Sequence, residues 1–280
     1  SRTLGITQDN IDYFKNNIFD LKNMSWQINK INILNESNTK NEILKFGSEQ
    51  TKLFSIVKYN DLLKKLNSLL KKEKNFTTYR IKKNLSFSEF IIKKYNIIIN
   101  SEKNNKIIKN NFSTLINKDY NSTAYTAIID HNRCKNKTAT QIFTKLGPIA
   151  FLPISNYQTS IVFSLLDKKE NFDNINIKKL INKYNYNYKI KSFSKFEIFK
   201  LKYFFPRNYY FKNILLFGDS LHQIHPLAGQ GFNMTLRDIK KFNEIIDKKV
   251  ELGMSVDKHL FIDFEKETKN YNLMFSFGID

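Results

Sequence analysis

The stretch Asn213 to Asp238, N-I-L-L-F-G-D-S-L-H-Q-I-H-P-L-A-G-Q-G-F-N-M-T-L-R-D, constrains the fold more than any other part of the chain. Ile214, Leu215, Leu216 and Phe217 form a short unbroken apolar run, the signature of a strand covered on both faces. It ends in Gly218-Asp219, where a glycine lets a ligand approach the backbone closely. Pro226 and the Gly229-Gln230-Gly231 turn come next. Leu236, Ile239, Phe242, Ile246 and Val250 then recur at helical spacing, which predicts an amphipathic helix. The order is strand, carboxylate, glycine turn, helix N-terminus. An aspartate at the carboxyl end of a strand accepts hydrogen bonds from ligand hydroxyls, and bare amides opening a helix favour an electron-rich partner. Together they make half of a cofactor cradle.

The composition of the 280-residue chain sets the limits within which this element works. With 41% hydrophobic and 26% charged residues, it reads as a folded protein able to bury a large core in one compound domain or two intimate ones. No apolar run approaches the roughly 20 residues that span a bilayer. Cys134 is the only cysteine, which excludes an internal disulfide and makes a reducing, cytoplasmic setting the default. The formal charge of +20 points toward anionic partners. Its lysines, however, are spread among asparagine and isoleucine, as in Lys103 to Asn111, with no arginine stripe or interleaved stacking motif. Loose attraction to an anionic membrane face is expected, and no nucleic acid.

Along the chain, Ile11, Phe14 and Ile18 predict a helix over Thr7–Phe19 with Thr7 as its cap. The runs 28–33 and 42–46 read as paired strands. Trp26 ahead of them reads as a core residue. Leu62, Leu63, Leu66, Leu69 and Leu70 mark a helix capped by Asn60 or Asp61. Thr77–Ile81 and Tyr95–Ile99 read as strands, the second apolar enough for an interior place. From Thr123 to Leu166 alternation predicts several antiparallel strands, 123–129, 138–144, 149–154 and 159–165, with one dry face. Leu180, Ile181 and Tyr184 suggest a helix. Phe193, Phe196, Phe199, Tyr203, Phe204 and Phe205 could line an apolar channel or pack as ordinary core. An amphipathic segment around Leu260–Phe264 follows Gly253.

The run from Gly218 to Asp238 resembles the second flavin-binding motif of the class A FAD-dependent aromatic monooxygenases, and is most similar to the ubiquinone-biosynthesis hydroxylases. The likeness covers roughly twenty consecutive positions, far more specific than a lone glycine motif. Weaker similarity extends over most of the chain. Arg2-Thr3-Leu4 resembles a segment that follows the first nucleotide-binding unit, and Gly147–Pro153 a strand of the substrate sheet. The implied fold class is α/β, a Rossmann-like FAD-binding domain, incomplete here, interleaved with an antiparallel β-sheet substrate domain as in p-hydroxybenzoate hydroxylase. The implied boundaries assign 1–22, 51–110 and 205–250 to the FAD-binding domain, 23–50 and 111–204 to the substrate domain, and 251–280 to a C-terminal helical segment.

By the same resemblance the activity is hydroxylation of the aromatic ring of a polyprenylated phenol in ubiquinone biosynthesis. The cofactor is FAD, NAD(P)H is the electron donor, dioxygen reacts through a flavin hydroperoxide, and no metal takes part. Gly218 and Asp219 would meet the ribityl chain. Pro226, Ala228, Gly229, Gln230 and Gly231 would pass beside the flavin ring, with the amides around Gly231, Phe232 and Asn233 stabilising negative charge on it. Arg2 would reach the cofactor phosphates. No side chain is singled out as a catalytic residue. His222 and His225, three apart, lack the companions of a metal site, and Ser220 lacks the flanking glycines of a nucleophile elbow. Other ubiquinone-biosynthesis proteins and the inner face of the membrane are the implied contacts.

Two departures bear on this reading. None of the eight glycines forms the G-x-G-x-x-G turn that opens such enzymes, so Ser1 is expected to fall inside the original domain and the chain alone to hold FAD poorly. Where the family carries an aspartate-glycine segment, this chain has Glu102-Lys103, a bulky cation for a glycine. A non-catalytic relative that binds a quinone precursor or a partner hydroxylase therefore stays open as the alternative.

Overall fold

The computed structural model describes residues 2–36, 38–79, 94–103, 106–167, 174–185, 187–224 and 229–279. The chain divides into two compact units, one of residues 1–74 and 120–201, the other of 75–119 and 202–280.

In the first unit, β1 (Thr3–Thr7), β2 (Ser25–Ile28) and β5 (Phe54–Lys58) form an antiparallel sheet in the order β1-β5-β2. Two helices accompany it, α1 (Gln8–Asn17) and α2 (Tyr59–Leu70). Phe14 is the buried anchor of α1, and Leu62 that of α2. Thr7 does occupy the N-cap of α1, though without a side-chain cap hydrogen bond. α2 starts earlier than predicted: Lys58 is its N-cap, because β5 runs directly into the helix and leaves no loop for Asn60 or Asp61 to cap.

The large sheet is built from β3 (Lys30–Asn35), β4 (Asn38–Gly47), β7 (Thr114–His131), β8 (Thr138–Thr144), β9 (Gly147–Pro153), β10 (Gln158–Leu166) and β11 (Ile190–Phe193). Its order is β11-β7-β10-β9-β8-β3-β4, with β12 (Glu197–Pro206) also pairing β7. All four predicted strands of 123–166 are present and antiparallel, and β3 pairs β4 as expected. The alternation works as the pattern requires. Ala127, Ile129, Phe151, Ile161, Phe163 and Leu165 point to one dry face, where α4 (Asn174–Tyr184) packs Ile177, Ile181 and Tyr184. Burying side chains of this size contributes about 1.5–3 kcal/mol each. Trp26 is half-buried against a smaller cluster around Ile28 and Ile56, and its Nε1 donates to the carbonyl of Asn136 at 2.6 Å.

In the second unit, β6 (Ile98–Asn100), β13 (Tyr210–Phe211) and β14 (Ile214–Leu216) form a sheet in the order β13-β14-β6, with β14 parallel to β6. The short helix α3 (Lys106–Asn111) follows β6. Two long helices, α5 (Gln230–Glu251) and α6 (His259–Ile279), close the chain. Ile214, Leu215 and Leu216 are fully buried, as their unbroken apolar run demands. Beyond them Phe217 stacks on Phe264 with ring centroids 5.6 Å apart, and Phe242 meets both rings edge-on. Phe205, Tyr209, Leu260 and Phe261 complete this core.

Two expectations need correction. Residues 77–79 carry no strand, and Ile81 lies outside the described residues. β6 begins at Ile98 and, among the described residues, is an edge strand with Ile99 51% exposed, so its apolar character is not that of an interior position. The compact units place 1–22 and 51–74 together with the large sheet, β1 and β5 pairing with β2 in a sheet of their own, and 251–280 together with β14. Of the aromatic run, Phe196, Tyr203, Phe204 and Phe205 are core, whereas Phe199 stays 39% exposed.

Candidate functional site

The site residues of the second unit gather where β14 ends. Phe217 is extended, and Gly218 then turns the chain with φ of +58°, a left-handed conformation that favours glycine. Among the described residues a Cβ there would meet nothing closer than Thr235 at 3.8 Å, so it is the backbone angle that demands the residue. Gly218–Ser220 forms one turn of 3-10 helix. Ser220 is buried and its hydroxyl is committed: Oγ accepts from the Phe217 amide at 3.1 Å and donates to the carbonyl of Asn100 at 2.5 Å. With the Phe217 amide also donating to Asn100 at 2.9 Å, the turn is sewn to the carboxyl end of β6. This leaves Asp219 as the exposed member of a rigid turn, its carboxylate available to accept hydrogen bonds.

Gly229 caps α5 with φ of +68° and no side-chain cap hydrogen bond, and the first turn holds no acidic residue. The opening amides of Gln230, Gly231 and Phe232 therefore carry the positive end of a 22-residue helix without side-chain compensation. Among the described residues, the nearest atom to a Cβ added at Gly231 would be Ile224 Cγ1 at 3.9 Å. Asn233 is buried and its Nδ2 donates to the Gly229 carbonyl at 3.3 Å, holding the cap. His225, Pro226 and Ala228 lie outside the described residues. The exposed carboxylate, the left-handed glycines and the uncapped helix fit a ligand that offers hydroxyls at one end and electron density at the other.

A buried polar network that sequence reasoning missed stands behind this turn. His222 Nε2 donates to Asp238 Oδ2 at 2.6 Å, with both side chains 1% exposed. Asn272 Nδ2 donates to Asp238 Oδ1 at 3.0 Å, and Arg237 Nη2 donates to Asn272 Oδ1 at 3.0 Å. The Arg237 guanidinium lies over Tyr271 and Phe275, 4.1 and 4.7 Å from the ring centroids. His222 thus takes a carboxylate sixteen residues on as its partner. The pair clamps the segment that enters the glycine turn to the third turn of α5. Tyr209, buried nearby, has its phenol pushed far above the usual range, chiefly by burial.

Lys103, the residue in the place of the family's glycine, reaches the same neighbourhood. Its Nζ lies 4.3 Å from the Phe204 ring centroid and donates to Gln223 Oε1. Burial first, then the Lys202 ammonium, lower its pKa, while Asp219 acts in the opposite direction. Glu102 is exposed. Arg2 lies in the first unit, its guanidinium 5.8 Å from the Tyr59 ring centroid and 5.9 Å from that of Phe199. Cys134 is a half-buried free thiol whose pKa burial raises.

Comparison with known proteins defines the class first. The fold is that of the FAD-dependent monooxygenases: Klebsiella pneumoniae HpxO complexed with FAD and uric acid aligns at a TM-score of 0.72 with 8% identity, over 100% of this chain and 78% of that one. PqsL, a probable FAD-dependent monooxygenase from Pseudomonas aeruginosa, aligns at 0.68 with 10% identity, over 98% and 83%. Residues 106–247 match the FAD binding domain family model, and the chain belongs to that family, as an FAD-dependent aromatic monooxygenase. Its relatives include the mitochondrial ubiquinone biosynthesis monooxygenase COQ6 of Dictyostelium discoideum, 24% identical over all of this chain and 72% of its own length. The Danio rerio COQ6 protein is 25% identical, over 58% of this chain and 42% of the relative. Against the fish relative, then, the match spans less than half of its length.

Proposed function

We propose that this protein hydroxylates the aromatic ring of a polyprenylated phenol in ubiquinone biosynthesis, using FAD, NAD(P)H and dioxygen. FAD, when bound, supplies the activation of oxygen. The single observation that carries the reading is the pairing of an exposed Asp219 on a pinned turn with the uncapped, glycine-opened N-terminus of α5. Asp219 would accept hydrogen bonds from the ribityl hydroxyls, and Gly218 would allow the chain to pass close. Gly229, Gln230, Gly231, Phe232 and Asn233 would bring their amides to the edge of the ring where negative charge gathers, an electrostatic role that needs no side-chain chemistry. Pro226 and Ala228 belong to the same proposed segment. The large sheet is the proposed substrate layer, where Phe163, Phe193 and Phe196 supply apolar surface. No described helix is long and apolar enough to cross a membrane.

Titration with FAD, followed by flavin fluorescence and absorbance, tests this reading. Asp219→Ala should weaken binding roughly 10- to 150-fold, the worth of a hydrogen bond to a charged acceptor of about 1.5–3 kcal/mol. Asp219 is exposed, so thermal stability should stay the same. Unchanged FAD affinity in the variant would remove the observation on which the proposal stands. The second reading, a non-catalytic relative that binds a quinone precursor, is favoured by one feature, Lys103 at the family's glycine. It predicts prenyl-phenol binding that survives Asp219→Ala with no flavin bound.

A further inference from the structure

Lys103 has no task in the reading above, yet its surroundings are specific. It sits three residues past the end of β6, and β6 and β14 are parallel, so Lys103 and Asp219 both follow carboxyl ends of adjacent parallel strands. In open α/β sheets that edge is where ligands bind. The platform under the ammonium is rigid. Phe204 and Gln223 exchange two backbone hydrogen bonds, N to O at 2.9 Å and 3.0 Å, the aromatic face of Phe204 meets the ammonium, and the Gln223 amide oxygen accepts from it. Next to Gln223 is His222, locked by Asp238. A second cation, Lys202, is close enough to repel Lys103, and its own carboxylate, Asp119, lies 3.9 Å away with both side chains half exposed. Lys202 thus has Asp119 beside it, whereas the half-buried Lys103 ammonium rests, among the described residues, on a neutral amide oxygen and an aromatic face. A cation seated without a carboxylate in contact suits an anion.

We infer that Lys103, held over Phe204 and beside Lys202, is a phosphate contact that takes the diphosphate of the flavin dinucleotide whose ribityl hydroxyls Asp219 accepts. The inference rests on the proposed flavin site. The lysine adds a charge at the turn where a glycine would offer only an amide, and its contact is with the nucleotide end of the cofactor, away from the ring. Burial and Lys202 disfavour the charged ammonium when nothing is bound, and the negative charge of a phosphate at the same place would oppose them by favouring it.

The test compares FAD, which carries the diphosphate, with riboflavin, which carries none, by fluorescence titration of the full protein and its Lys103→Met variant. Circular dichroism and thermal melts confirm that the variant folds, and Lys103→Arg, which keeps the charge, is the rescue. Lys103→Met should weaken FAD roughly ten- to a hundredfold and leave riboflavin within about twofold. Added salt should weaken FAD binding to the wild type more than to the variant. Equal loss for both flavins would overturn the inference, since Lys103 would then act only on Asp219 or the turn. No loss for either would overturn it as well. A wild-type protein that binds neither flavin would bring down the flavin reading itself, an outcome distinct from the other two.

Discussion

The buried His222–Asp238 bond gives the most demanding test of the structure. Both side chains are 1% exposed and 2.6 Å apart, and the Asp238 carboxylate takes a second hydrogen bond from Asn272. Asp238→Ala would leave the His222 ring and the Asn272 amide buried without their acceptor. Removing the shared acceptor leaves two buried donors unsatisfied, at about 1–3 kcal/mol each, a large part of a total stability of roughly 5–15 kcal/mol. His222→Leu removes the other partner and retains much of the volume. If the pair acts as a unit, the double variant should lose at least about 1.5 kcal/mol less than the sum of the single losses. Urea denaturation of the four proteins, followed by circular dichroism, measures this, with changes in midpoint at unchanged slope read as stability. Additivity within about 0.5 kcal/mol would refute the bond as described, and so would an Asp238→Ala loss below 1 kcal/mol or so.

Other outcomes follow from the same geometry. Gly229→Ala forces a side chain into φ of +68° and should cost about 1–2 kcal/mol, with Gly229→Asn milder, in the same denaturation assay. In the first unit, Asp167 and Asp130 are held below the usual carboxylate range, by the Lys200 ammonium and the Thr123 hydroxyl in one case and by the Ser192 hydroxyl and Gln158 amide in the other. Glu36 is lowered chiefly by the Lys145 amide. Each of these groups binds its proton less readily folded than unfolded. The stability they provide is therefore present in full above about pH 4–5 and is lost as pH falls through the lower folded values. Thr123→Val and Ser192→Ala should each move the midpoint of acid unfolding to higher pH, read by circular dichroism.

What the sequence made legible, and what it hid, divides by the range of the interactions involved. The turn at Gly218-Asp219 and the helix from Gln230 were readable because a short apolar run, a glycine and a 3.6-residue period are local signals. The strands of 123–166 were readable because alternation reflects a sheet with one dry face. Tyr95–Ile99 misled for the same reason: five apolar-rich residues look alike whether a strand has one neighbour or two, and β6 has only β14 among the described residues. The start of α2 depended on β5 running straight into it, which capping preferences do not encode. The sequence sets His222 beside His225, its near neighbour, whereas its partner is Asp238 and the network reaches on to Asn272. Lys103 was visible as a departure from the family pattern. Its seat on Phe204 and Gln223, more than a hundred residues away, was not.

The central claim is that the turn after β14 and the opening of α5 cradle a flavin. Hydrogen–deuterium exchange of the protein with and without FAD addresses it directly, because it reads these backbone amides themselves. Slowed exchange concentrated in peptides covering 218–221 and 229–233 is expected when FAD is added. FAD binding that leaves these peptides unchanged and protects others would contradict it.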